Sequence, residues 1–79
     1  MARQCTLKEL KGYVIMGAKE LTLNTPKNQI PKSYQILAYH RNATYGNTTG
    51  VLLRSKTGKM YVAFGEMASI LRGWGFSDI

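Results

Sequence analysis

Cysteine, histidine and acidic side chains are all scarce in this chain of 79 residues: one cysteine (Cys5), one histidine (His40) and four carboxylates (Glu9, Glu20, Glu66 and Asp78). A single thiol closes no intrachain disulfide, so cysteine usage does not point to an oxidising compartment. A structural zinc takes four soft ligands, more than this composition offers in any one region, so no metal or other cofactor is expected. The carboxylates are scattered, and the first three suit helix surfaces or caps. Cys5 and His40 form the one conceivable nucleophile–base pair. They stand far apart, one in a terminal segment and the other in a strand pattern, so no catalytic residue is assigned and the chain is expected not to be an enzyme.

Long apolar runs are missing too. No stretch approaches the roughly 20 residues of a membrane span, and MARQCTLKEL has no apolar core of a signal peptide. The expectation is a cytoplasmic protein with no membrane contact. The glycosylation-like triplets Asn42-Ala43-Thr44 and Asn47-Thr48-Thr49 are then chance products of a polar turn.

What the chain has in excess is positive charge. Eleven Lys and Arg against four acids give +7, with a pI near 9.9. Such a balance attracts polyanions, of which nucleic acid is the most abundant in a cell; an acidic protein surface is the next partner. The hydrophobic share of 44% and the aromatics argue against disorder. The length fits one domain, residues 1–79, which buries only about 60–65% of its unfolded surface. Self-association into a homo-oligomer, or a partner, is expected to supplement so small a core.

Thr6 followed by Glu9 is a capping box, and Leu7, Leu10, Val14 and Leu21 recur at helical spacing, predicting a helix over 7–21. Gly12 and Gly17 interrupt it, and Tyr13-Val14-Ile15-Met16 reads alternatively as a short buried strand. Residues 24–33, with two prolines, are a loop. Residues 34–41 read as a strand with Tyr34, Ile36, Ala38 and His40 on one face and Gln35, Leu37, Tyr39 and Arg41 on the other. After a polar turn, Val51–Ser55 and Met60–Phe64 form a hairpin around Lys56-Thr57-Gly58-Lys59. Setting Ser55 opposite Met60 pairs Arg54 with Tyr61, Leu53 with Val62 and Val51 with Phe64. A short helix spans Glu66–Arg72, with Gly73 as its C-cap. The fold class is therefore α+β: an N-terminal helix, a three-stranded antiparallel meander, and a short C-terminal helix packed on one sheet face. Its expected core is Leu10, Val14, Ile36, Val51, Leu53, Val62, Phe64, Ile70 and Leu71.

In that register Tyr39, Arg41, Arg54 and Tyr61 share the outer sheet face, where Arg contacts phosphate or base edges and Tyr stacks on an unpaired base. Lys56 and Lys59 at the hairpin tip would hold backbone phosphates. The tip is not a phosphate-binding loop of the NTPase kind, because it joins two strands instead of leading into a helix. These six residues make the expected nucleic-acid surface. Trp74 and Phe76 serve either as a latch on the core or as anchors for a protein partner. The alternative function is accordingly a protein-binding inhibitor of the kind encoded by phages and mobile elements, acting on a host enzyme such as a CRISPR defence complex.

Over residues 34–73, the order of three strands, basic tip and helix is similar to the arm-type DNA-binding domains of tyrosine integrases and to AP2-like domains. Gly50-Val51 opens the second strand, Gly58-Lys59 the third, and the helix starts at Glu66. The resemblance implies a sheet laid in the DNA major groove, although the strand-face tryptophans and arginines of those families are missing here.

Overall fold

A computed structural model describes residues 2–74 and shows an α+β fold: two helices on a mixed five-stranded sheet. The elements are β1 (Arg3–Gln4), α1 (Leu7–Ile15), β2 (Lys19–Leu21), β3 (Tyr34–Arg41), β4 (Thr48–Ser55), β5 (Met60–Phe64) and α2 (Gly65–Trp74). The expected meander β3-β4-β5 is the centre of the sheet. β1 adds in parallel beside β3 and β2 in parallel beside β5, giving the order β1-β3-β4-β5-β2. The sheet is thus neither three-stranded nor purely antiparallel.

The N-terminal helix is shorter than its periodicity implies. Thr6 caps it as expected, its hydroxyl accepting from the Glu9 amide at 3.1 Å, while the Glu9 carboxylate turns to Arg3. Gly17 ends the helix with φ of +114°. The Ala18 amide reaches back to the Tyr13 carbonyl and the Gly17 amide to that of Val14, the Schellman pattern. Lys19–Leu21 is then free to join the sheet, and residues 13–15 are helical. Residues 24–33 form the predicted loop, with one 3-10 turn at Lys27–Gln29. At the other end, α2 runs through Gly73 to Trp74, so Gly73 is not its cap.

Two local irregularities reset the sheet faces. Ser55 and Lys59 close the β4–β5 hairpin around three residues: the Ser55 amide donates to the Lys59 carbonyl at 2.9 Å, and Gly58 sits at φ +91°. That is the three-residue loop with a left-handed glycine. Arg54 therefore pairs with Met60, Leu53 with Tyr61 and Leu52 with Val62, one residue away from the expected register. In β3 the ladder shifts between Ile36 and Ala38, a bulge at Leu37 that swaps the faces beyond it.

Helices cover both faces. Under α2 lie Leu21, Ile36, Val51, Leu53, Tyr61 and Ala63 with Met67, Ala68 and Leu71, flanked by Tyr34 and Tyr39. Under α1, Leu10 packs on Ala38, Leu52 and Val62, flanked by Tyr13, Val14, Met60 and Phe64. Of the expected core, Leu10, Ile36, Val51, Leu53, Val62 and Leu71 are fully buried, Val14 and Phe64 are half-buried, and Ile70 is exposed. Gly50 lets α1 approach: a Cβ there would lie 2.4 Å from Leu10 Cδ1 and 3.1 Å from Leu7 Cδ2.

Candidate nucleic-acid interface

The topology gathers cations at one end of the sheet. Tyr34 pairs with Ser55, and Lys19 with Tyr61. The start of β3, the β4–β5 tip and the start of β2 therefore share an end. Lys32 precedes β3, Lys56 and Lys59 are in the tip, Arg54 is the last residue but one of β4, and Lys19 opens β2. Lys27 joins them through the loop leading to β3. All six are exposed, and they are six of the eleven Lys and Arg residues of the chain. Glu20 follows Lys19 in β2, and no other acidic residue occurs before Glu66, so the segments that supply these cations carry a single carboxylate.

Their side chains are lightly engaged. Arg54 Nη2 donates to Gln35 Oε1 at 3.3 Å, and Lys19 Nζ to Gln29 Oε1 at 3.1 Å. Lys59 Nζ stands 5.8 Å from the centroid of the Tyr61 ring. A lysine ammonium has further donors for a phosphate.

The expected aromatic face does not assemble. With the hairpin register moved by one residue, Arg54 lies on the α1 side and Tyr61 on the α2 side, because directly opposed residues share a face. Tyr61 is buried at 8% exposure, and Tyr39 packs against the same core. Arg72 covers the Tyr39 ring, with Cζ 3.9 Å from the centroid. Neither tyrosine offers a free ring to a base. Arg41 pairs with Thr48 at the opposite end of the sheet, where its Nε donates to the Gly46 carbonyl at 2.7 Å. Of the six expected residues, then, only Arg54, Lys56 and Lys59 come together. The sheet-in-groove docking implied by the integrase-arm and AP2-like resemblance needs an open face, and here each face carries a helix.

Sequence reasoning missed Lys19, Lys27 and Lys32, whose gathering depends on a sheet order that no local pattern encodes. It also missed a groove of about 460 Å³ beside them, lined by Lys27, Ile30, Pro31, Lys32, Tyr34 and Trp74. One wall is anchored, as the Tyr34 hydroxyl donates to the Leu71 carbonyl at 2.5 Å. Burial pushes that hydroxyl up to about 12, so it stays a donor at any ordinary pH. Trp74 is 58% exposed. Phe76 lies outside the described residues.

Other chemistry is thin. The parallel register of β1 beside β3 brings Cys5 to the Tyr39–His40 end of β3, away from the basic end, its amide bonded to the Tyr39 carbonyl at 2.8 Å. Burial, and then the charge of Glu9, raises the thiol above its ordinary pKa, opposite to what a nucleophile needs. His40 shares its Nδ1 with the Thr49 hydroxyl at 2.5 Å. Among the described residues, no three His, Cys, Asp or Glu gather as a metal site, and no helix is long and apolar enough to cross a membrane. No protein-family model, curated protein or solved structure matches this chain.

Proposed function

We propose that this chain is a non-enzymatic nucleic-acid-binding domain that holds backbone phosphates with the basic end of its sheet. The observation that carries this reading is the convergence of Lys19, Lys27, Lys32, Arg54, Lys56 and Lys59 from four separate segments onto one end. A cation set brought together by topology produces a focused field, whereas the same charges spread over the surface would give solubility alone. The test is a salt titration. Four to six neutralised phosphates on duplex DNA give a slope of log K against log salt of about −4 to −5. Binding weaker than about 100 μM at physiological salt lies outside even the non-specific range and rejects the reading.

A second reading has an observation of its own. Ile15 and Met16, at the end of α1, are 86% and 84% exposed, and Met16 lines a shallow depression with Tyr13, Lys59 and Met60. Apolar side chains next to exposed cations suit an acidic protein surface, the mode of an inhibitor that covers a partner's functional surface. Ile15→Glu with Met16→Glu would abolish that capture and leave oligonucleotide binding in place. A failed salt titration transfers the weight to this reading.

A further inference from the structure

We infer that the groove between Trp74 and the loop leading into β3 seats an unpaired nucleobase, so that the protein prefers single-stranded nucleic acid. The inference rests on the nucleic-acid reading above and adds to it the class of strand and the residue that selects it.

Phosphate contacts alone do not distinguish a single strand from a duplex; an accessible aromatic plane does, because only an unpaired base can leave its neighbours and stack on it. Several aromatic rings among the described residues are engaged elsewhere. Tyr39 lies under the Arg72 guanidinium, Tyr61 is in the core, and Tyr34 is held by its hydroxyl on Leu71. Tyr45 is 83% exposed, but it stands in the 42–47 loop after Arg41, away from the gathered lysines, and the adjacent guanidinium is bound to Gly46. Among the described residues, Trp74 is the large exposed ring at the basic end.

Its surroundings fit a nucleotide. Lys27 and Lys32 line the same groove as the indole, and both ammonium groups are exposed. Ile30 and Pro31 add an apolar wall, so the site joins an apolar slot for a base to cations for the phosphates on either side. The volume of about 460 Å³ falls in the roughly 300–1,000 Å³ range of small-ligand clefts. Proline at position 31 limits the backbone freedom of the wall, so less ordering is needed when a base enters.

Trp74 is the single tryptophan of the chain, so intrinsic fluorescence reports on this site alone. The experiment titrates the protein with a labelled oligothymidine 12-mer and with a 12-base-pair duplex, reading oligonucleotide anisotropy and tryptophan emission together. The single strand is expected to quench the emission in step with the anisotropy, and the duplex to leave it unchanged. Trp74→Ala should weaken single-strand binding about 5- to 150-fold, the effect of losing one stacked base, and alter duplex binding by less than twofold. Trp74→Phe should recover part of the loss. Lys27→Ala with Lys32→Ala should flatten the single-strand salt slope by about 1.4, at roughly 0.7 per phosphate; Trp74→Ala should not change the slope. Single-strand binding with unquenched emission overturns the inference, and so does a Trp74→Ala variant that weakens both ligands equally; either leaves the phosphate-binding reading standing. Absence of binding to both oligonucleotides removes that reading as well.

Discussion

The Arg72 guanidinium sits over the Tyr39 ring, Cζ 3.9 Å from its centroid, and from there Nη1 donates to the Thr48 hydroxyl at 3.1 Å. One side chain of α2 thus clamps β3 and β4 together. Cation–π contacts are worth about 0.5–1 kcal/mol when exposed and about 2 when desolvated, so Arg72→Ala should lower stability by about 1–2 kcal/mol in urea unfolding. Arg72→Lys should restore less than half, because a lysine cannot stack and reach Thr48 at once.

Gly50 is a packing requirement. Leu10 is fully buried and its Cδ1 would lie 2.4 Å from a Cβ at position 50, so Gly50→Ala forces Leu10 out of its present rotamer or α1 off β4. Overpacking of this kind costs about 1–3 kcal/mol. Pairing it with Leu10→Ala should give a double variant more stable than the sum of the two losses predicts, since each change makes room for the other.

The Tyr34 hydroxyl sets an alkaline limit. An unfolded tyrosine loses its proton near pH 10, whereas here burial moves that loss up to about 12. Between those values the unfolded chain binds fewer protons than the folded one, so stability falls as pH rises; below pH 10 the contribution is complete. Tyr34→Phe should therefore be less stable than the parent by about 0.5–1.5 kcal/mol at pH 7–9, and the gap should narrow above pH 10. A gap unchanged at pH 11.5 would contradict the Tyr34–Leu71 bond.

The two ends of the sheet should differ in their effect on binding. Lys56→Ala with Lys59→Ala removes two tip cations and should flatten the duplex salt slope by about 1.8, with surface-level effects on folding of about 0.5 kcal/mol or less. Arg41→Ala, at the far end, should leave the slope unchanged. Equal effects at both ends would mean that the field is diffuse and the basic end is not the contact surface.

Much of the fold was legible where pattern and length agree: β3 and β5 begin and end where their aromatic and β-branched runs do. Face assignments were not, because parity is fragile. One extra residue at Leu37 and a loop of odd length at Gly58 each invert which side chains meet. β1 and β2 were invisible, since Arg3-Gln4 and Lys19-Glu20-Leu21 have too few residues to show a period and become strands only through their neighbours. Gly17 did carry a readable helix stop, overridden by the apolar spacing that continues to Leu21. In the site, the tip lysines could be read from the turn, whereas Lys19, Lys27 and Lys32 acquire meaning only once the strand order is known.

β1, α1 and β2 have a consequence for how the protein is made. Residues 3–21 are synthesised before β3–β5, the strands they pair with. At about 5–20 residues per second, Leu21 precedes Phe64 by roughly 2–9 seconds. During that interval α1 has no sheet to cover, and nine residues are too few for a helix to persist alone. This earlier segment therefore completes its pairing only once β3 and β5 are present, closing both edges of the meander. Until it does, β3 and β5 are open edges, and nascent chains spaced closely on one message are exposed to pairing with each other.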